Sequence, residues 1–359
     1  MLGAQIYRLA GMWPEEDDGC NLASACEKGP IRISWPRAGT LAPPRSRKHL
    51  QKVPQKAAMA TSTAPGNAAG HPMPGLAGKR ALVTGARKGL GRGIALSLAR
   101  AGCAAVAIVD VIDDEVAAAV VAQISAVEGC TGRLFVADCS NIAEVRKTID
   151  AFAADGGIDI LVNNAMIAHA PPCSSQCAPF LSTDEGMWDA LTSLGYKGYF
   201  FAMQAAARHM VAQRRGGSLL CIGSVHAVNP IAEWAVYSGM KAGLECMVRC
   251  LACDLREHNI RSNVIAPGGM ANGLPDNPAD IDGPTDPSWY EKAEDGSYRW
   301  GFDGDGGSDA FKAAVPAGVG GAPSDVGAMV TFLASDLGRY INGQTMRVDG
   351  GMSACNVFW

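Results

Sequence analysis

The sequence predicts an α/β fold: a single doubly wound parallel-sheet domain behind a disordered N-terminal extension. Three observations carry this. Short apolar runs, 80–84, 104–109 and 158–163 among them, alternate with helical stretches in the manner of repeated βαβ units. A glycine-rich turn, Gly85-Ala86-Arg87-Lys88-Gly89-Leu90-Gly91, sits between the first run and the first helical stretch. Ahead of about residue 75 that alternation is absent, and Pro, Ala, Ser, Gly and basic residues dominate.

Of 359 residues, 48% are hydrophobic, enough for a sizeable core. We therefore expect residues 1–75 as the extension and 76–359 as one domain, with a long Asp-, Gly- and Pro-rich insertion over 275–321 that reads equally as a lid or as a surface excursion. A net charge of −4 without a basic stripe argues against nucleic acid as partner. No apolar run is long enough to span a membrane. The twelve cysteines do not make the paired Cys-x-x-Cys motifs of a zinc site, and no metal site is expected. Cys246, Cys250 and Cys253 share a helix face, read here as buried thiols. Reduced cysteines imply a cytoplasmic protein. The extension leaves organelle import open, although the acidic run Glu15-Glu16-Asp17-Asp18 is unlike a transit peptide. Met59 offers a second start, so whether residues 1–58 remain in the mature chain is also left open.

The first strand, 80–84, runs into the glycine turn, then a helix over 93–101, then a strand over 104–109 ending at Asp110. Glycines at 85, 89 and 91 allow a tight turn, close approach of backbone to a pyrophosphate and close helix–strand packing. The helix start offers free N–H groups and a positive dipole end to phosphate. A carboxylate at Asp110 accepts bonds from ribose hydroxyls and repels a 2′-phosphate, which favours NAD and leaves NADP as the alternative. A third strand, 134–137, ends in Asp138-Cys139-Ser140, and a fourth, 158–163, leads to Asn164-Ala165-Met166. The apolar run 219–222 leads to Ser224. Thirteen positions on stands Tyr237, four residues before Lys241, so on a helix both side chains share one face. An ammonium beside a phenol lowers the phenol's pKa, which would suit Tyr237 to proton transfer near neutral pH. Ser224 is placed to hold the same oxygen. A strand over 261–266 ends at Pro267-Gly268, a helix over 324–333 carries Ser324 as N-cap, and 343–351 supplies the last strand and turn.

Ser224, the Tyr237/Lys241 pair and the stretch 84–91 together resemble the short-chain dehydrogenase/reductase family, over roughly Leu76 to Met352. The resemblance implies a Rossmann domain and an NAD(P)-dependent oxidoreductase interconverting a secondary alcohol and a ketone. Tyr237 would be the acid/base, Lys241 its partner and a ribose ligand, and Ser224 the group that orients the carbonyl. Gly85, Arg87, Lys88, Gly89, Leu90, Gly91, Asp110, Asp138, Cys139, Asn164, Ala165, Pro267, Gly268 and Asn272 would line the cofactor. A basic residue at Lys88 is common in family members that use NADP. Gly223-Ser224-Val225-His226 resembles sugar dehydrogenases, and 3-oxoacyl carrier-protein reductases are a near rival. A homodimer or homotetramer is implied.

Three positions depart from the family pattern. Met166 replaces the glycine of Asn-Asn-Ala-Gly, so either the loop moves or the thioether narrows the cofactor site. Gly195 stands where the family has a catalytic asparagine that holds a proton-relay water. Asn272 replaces a threonine. They keep a second reading alive, a catalytically impaired nucleotide-binding protein on the same fold.

Overall fold

The computed structural model describes residues 73–167, 178–270, 315–318 and 320–355. Residues 1–72 of the expected disordered extension, most of the 275–321 insertion and Asn272 lie outside the described residues. Among the described residues seven strands form one sheet: β1 (Arg80–Thr84), β2 (Ala105–Asp110), β3 (Thr131–Val136), β4 (Ile160–Asn163), β5 (Gly217–Ile222), β6 (Ile260–Pro267) and β7 (Thr345–Val348), in the order β3-β2-β1-β4-β5-β6-β7. Every pairing is parallel. The order reverses between β1 and β4, which opens a crevice at the carboxyl ends of those strands.

Alternation along the strands sorts the core into two layers. Leu82 faces a cluster with Phe152, Met203 and Leu244, whereas Ala81 and Val83 face one with Ile94, Val120 and Val330. Helices α3 (Ile142–Ala153), α5 (Tyr199–Gln213) and α6 (Ala235–Asp254) cover the first layer. Helices α1 (Gly89–Arg100), α2 (Glu115–Ser125) and α7 (Pro323–Ala334) cover the second. Helix α4 (Glu185–Thr192) runs through a π-helical turn, Ser193–Gly198, into α5.

Several boundaries and faces differ from expectation. Helix α1 starts at Gly89 rather than residue 93. Glycine's weak helix propensity is overridden because only glycine fits at 91, where a Cβ would come within 2.6 Å of Asn164 Nδ2. Strand β3 begins at Thr131 rather than 134, and β4 at Ile160 rather than 158. Ser324 is not the N-cap of α7. The helix begins one residue earlier at Pro323, suited to a first helical position, and Asp325 Oδ2 accepts from Ala322 N at 2.8 Å. Cys246, Cys250 and Cys253 are exposed rather than buried, because Lys241, Leu244, Met247 and Val248 supply the inward stripe of α6 and the cysteines fall on the opposite side. The domain also begins before residue 76: Met73 N donates to Ala101 O at 2.9 Å, and Pro74 O accepts from Asp336 N at 3.0 Å.

Helices α1 and α7 approach through glycines. A Cβ on Gly93 would lie 2.5 Å from Pro323 Cβ, and one on Gly327 would lie 2.7 Å from Ser97 Cβ. This contact holds α1, and with it the glycine turn, against the sheet. We expect Gly327→Ala to destabilise the protein by about 1–3 kcal/mol through overpacking. Gly239→Ala on α6, where an added Cβ meets nothing within 4 Å, should be neutral or stabilising by up to about 1 kcal/mol. Thermal melts of both variants check this, and equal melting temperatures would count against it.

Candidate active site

The crevice is built from the carboxyl ends of β1, β2, β4 and β5. Thr84 Oγ1 accepts from Asn164 N and Ala165 N, each at 3.0 Å, and Asn164 Nδ2 donates to Thr84 O at 3.0 Å and Gly85 O at 2.9 Å. Through Nδ2, Asn164 therefore braces the glycine turn. Gly85 (φ +62°) turns under Ala165, leaving 2.6 Å between Ala165 Cα and any added Cβ. Gly89 (φ +55°) is different, since a Cβ there would meet nothing within 4 Å. Its outer face is open. The N-terminus of α1 beside it has no capping side chain and no acid in its first turn. Backbone N–H groups and a helix dipole thus converge on an open glycine face, an arrangement that fits a pyrophosphate. Leu90 contributes only backbone there, because its side chain packs on the core. Lys88 occupies the N-cap position with extended backbone.

Asp110, at the end of β2, is oriented by backbone. Its Oδ2 accepts from Arg87 N at 3.2 Å and its Oδ1 from Val111 N at 2.9 Å. Carboxylate lone pairs remain for a ribose diol. Arg87 turns its guanidinium to Asp114, with Nε 2.9 and 3.0 Å from the two carboxylate oxygens and Nη2 also in contact. Asp114 is the N-cap of α2, accepting from Ala117 N at 3.0 Å. The bond from Arg87, then that from Ala117, hold its carboxyl down at about 2. Asp138 is exposed, and its Oδ1 accepts from Ser140 N and Oγ, each at 2.8 Å. Cys139 is buried with its thiol pushed up to about 12 by desolvation, so only its backbone is available. The carbonyl of Cys139 is crowded by Gly198. Gly268 N donates to Val348 O at 3.0 Å, and its Cα packs on Asp349, which fixes the Pro267-Gly268 turn against β7.

Ser224, Tyr237 and Lys241 come together as their spacing predicts. Ser224 ends the β5 connection, buried, with Oγ accepting from His226 N at 3.2 Å. Its hydroxyl also bonds to the Tyr237 side chain, which pulls the Tyr237 pKa down, but desolvation is the larger influence and the net direction is up. This corrects the expectation of a phenol lowered by its lysine. Lys241, 2% exposed, donates from Nζ to Ile222 O at 2.8 Å, and Nζ stands 5.5 Å from the centroid of the Tyr237 ring. Burial brings the lysine itself down to about 8. His226 Nδ1 lies 3.1 Å from Asn229 O, and its ring stands 5.3 Å from that of Trp234 and 6.4 Å from that of Tyr237. Desolvation lowers its pKa, so the imidazole is neutral at neutral pH.

The two unusual residues meet. Gly195 is buried in the π turn, and a Cβ on it would lie 2.6 Å from Met240 Sδ and 3.0 Å from Met166 Sδ. Met166 turns its thioether into the space above Gly195. Sequence reasoning missed Met240 as its partner. It also missed Thr84 as the acceptor that joins β1 to β4, Asp114 as the partner of Arg87, and Tyr199, whose hydroxyl donates to Ala165 O at 3.1 Å. Only Asp114 carried a local signal, an aspartate before an acidic, apolar-periodic helix start. Among the described residues no group of three or more His, Cys, Asp or Glu side chains is arranged to hold a metal, and no helix is long and apolar enough to cross a membrane.

Comparison with known proteins matches residues 79–277 to a model described as short chain dehydrogenase, and residues 301–353 to one described as enoyl-(acyl carrier protein) reductase. The chain is 35% identical to 2-dehydro-3-deoxy-D-gluconate 5-dehydrogenase of Escherichia coli, covering 78% of this chain and 97% of that protein. It is 33% identical to L-rhamnose 1-dehydrogenase (NAD(P)(+)) of Azotobacter vinelandii, covering 76% and 96%. Among solved structures, gluconate 5-dehydrogenase of Burkholderia cenocepacia in complex with NADP and tartrate superposes with a TM-score of 0.62 at 32% identity, over 78% of this chain and 97% of that one.

The methionine pair makes a specific prediction. Gly195→Asn forces a side chain into two thioethers and should destabilise the protein by about 1–3 kcal/mol. Met166→Gly vacates part of that space. The double variant should be more stable than the sum of the two changes by about 0.5 kcal/mol or more in a denaturant-unfolding cycle. Simple additivity would mean that the two positions do not share a cavity.

Proposed function

The chain belongs to the short-chain dehydrogenase family, and from that premise we propose that it interconverts a secondary hydroxyl of a sugar or sugar acid and the corresponding ketone, using NAD in preference to NADP. The observation that carries the reading is the convergence of the bonded Ser224–Tyr237 pair and the buried Lys241 on the crevice that also holds the open glycine face. The sugar dehydrogenases among the relatives support the substrate class. Asp110, facing the crevice with oriented oxygens, and Arg87, engaged by Asp114, support NAD.

The residues that would hold the cofactor are Gly85, Gly89 and Gly91 with the α1 N-terminus for the pyrophosphate, and Asp110 for the adenosine ribose. Bound nicotinamide would accept or supply the hydride at the substrate carbon. Ser224 donates to the substrate oxygen and orients it. In reduction Tyr237 gives its proton to that oxygen, and in oxidation it takes the hydroxyl proton. Burial keeps Tyr237 protonated at neutral pH, a state ready for reduction. Lys241, cationic below about 8, favours the phenolate whenever it forms. The sign follows: ketone reduction should fall as pH rises through about 8, because a neutral lysine no longer supports the phenolate left when Tyr237 gives up its proton, and oxidation, which needs that phenolate, should gain only at the higher pH that reaches the raised Tyr237. Met166 and Met240 fill the space over Gly195, so position 195 offers no side chain to relay protons to this group. That feature is what the impaired-protein reading rests on.

We extend the proposal to a homo-oligomer in the cytoplasm. Exposed Trp188, Tyr196 and Phe200 along α4, the π turn and α5 support a face for a second copy, which size-exclusion chromatography tests.

The functional test is a rate screen of sugar acids, aldoses and acyl ketones with both nicotinamide cofactors. We expect turnover on a sugar-type substrate with kcat/KM higher for NAD. A preference for NADP of about tenfold would overturn the cofactor assignment. Tyr237→Phe should reduce kcat by about 10²–10⁴ with cofactor affinity little changed. Normal turnover in that variant would move the chemistry elsewhere. Absence of turnover in the parent, with intact cofactor binding, would favour the impaired reading.

A further inference from the structure

Tyr199 heads the largest fully buried side chains among the described residues, 1% exposed, and the reaction set out above does not use it. It lies on the first turn of α5, just past the π turn, and reaches three parts of the site. The hydroxyl donates to Ala165 O at 3.1 Å. The backbone carbonyl accepts from Asn163 Nδ2 at 3.3 Å. Lys241 Nζ stands 5.4 Å from the centroid of the ring, within range of a cation–π contact. A phenylalanine would fill nearly the same volume with no buried hydroxyl to satisfy, so packing alone does not account for a tyrosine.

The surroundings of Lys241 give this contact weight. Among the described residues, the titratable groups around its ammonium are Tyr237 on its own helix, Tyr199 on α5 and Cys221 on β5. Burial keeps all three neutral near pH 7, with the Cys221 thiol at about 12 and both phenols above their ordinary value. The ammonium therefore rests on one carbonyl, Ile222 O, and on the faces of two rings. Gly195, in the π turn preceding α5, adds nothing polar, since the space above it holds the sulfurs of Met166 and Met240.

We infer that Tyr199 is a positioning residue for the proposed reaction, whose ring carries the Lys241 ammonium while its hydroxyl carries the Ala165 carbonyl. One rigid side chain thereby registers the lysine against the Asn164–Met166 turn, and through Asn164 against the glycine turn. The inference rests on the dehydrogenase reading for the lysine's role, but its geometry can be tested by cofactor binding without turnover.

Two variants separate the two contacts. Tyr199→Phe keeps the ring and removes the hydroxyl. Tyr199→Leu removes both. The readouts are the NADH dissociation constant by fluorescence across a pH series, the pH profile of kcat/KM, and the melting temperature. Tyr199→Phe should weaken NADH binding by roughly 3- to 10-fold, as for one lost hydrogen bond, and leave the inflection near pH 8 in place. Tyr199→Leu should in addition move that inflection to lower pH by about half a unit to one unit, because removing a cation–π partner disfavours the charged lysine. Unchanged NADH affinity in Tyr199→Phe overturns the proposal, whether or not the leucine variant folds. An unmoved inflection in a folded Tyr199→Leu overturns the ring's part, and lowered melting temperatures alone mean that Tyr199 is only core. A parent that binds NADH but turns nothing over defeats the dehydrogenase reading, and the binding comparison still decides the role of Tyr199.

Discussion

The clasp between the ends of β1 and β4 is the contact on which the crevice depends. One threonine hydroxyl oxygen accepts two backbone N–H groups, and one asparagine amide donates to two carbonyls of the facing strand end. Parallel strands leave such groups unpaired where the ladder stops, and a buried unpaired group costs roughly 1–3 kcal/mol. Satisfying them here fixes two things together. On one side the glycine turn is held so close that positions 85 and 91 admit no Cβ. On the other the Ala165 carbonyl is presented to Tyr199, and through the ring of Tyr199 to Lys241.

Electrostatics divide the crevice into two settings. At the β2 end the charges are partly exposed and matched: Asp110 held by backbone, Arg87 held by Asp114. Surface pairing of this kind adds little stability, but it decides which charge is left facing a ribose. At the β5 and α6 end Ser224 and Lys241 are buried and Tyr237 is partly buried, and among the described residues no carboxylate pairs with the lysine. Desolvation brings Lys241 down to about 8 and Tyr237 up, so proton affinities that nearly coincide in water are drawn apart, and the phenol holds its proton more firmly than the ammonium does.

Much of this was legible in the sequence because it is periodic or local. Alternating apolar runs gave the sheet, the glycine spacing gave the turn, and a four-residue interval put Tyr237 and Lys241 on one helix face. What escaped was set by packing between distant segments. Met166 and Gly195 each look like an isolated departure from the family pattern, and only the fold shows that a thioether gained at one fills space at the other. The direction of the Tyr237 shift escaped for the same reason, since helix spacing reveals the neighbouring lysine but not the depth of burial. The cysteine stripe on α6 was misjudged because thiol hydrophobicity was weighed ahead of the stronger stripe through Leu244, Met247 and Val248.

The account stands most directly on the clasp as the link between cofactor binding and the catalytic side chains. Asn164→Ala removes the side-chain half of it and leaves the Thr84 bonds to backbone intact. The measurement is the NADH dissociation constant of this variant, well below its melting temperature and with the far-ultraviolet circular dichroism of the parent. The account predicts affinity lower by about tenfold or more, since the glycine turn loses its brace. Parental affinity in a folded Asn164→Ala protein would show that the turn holds its shape without the clasp, and would contradict the account.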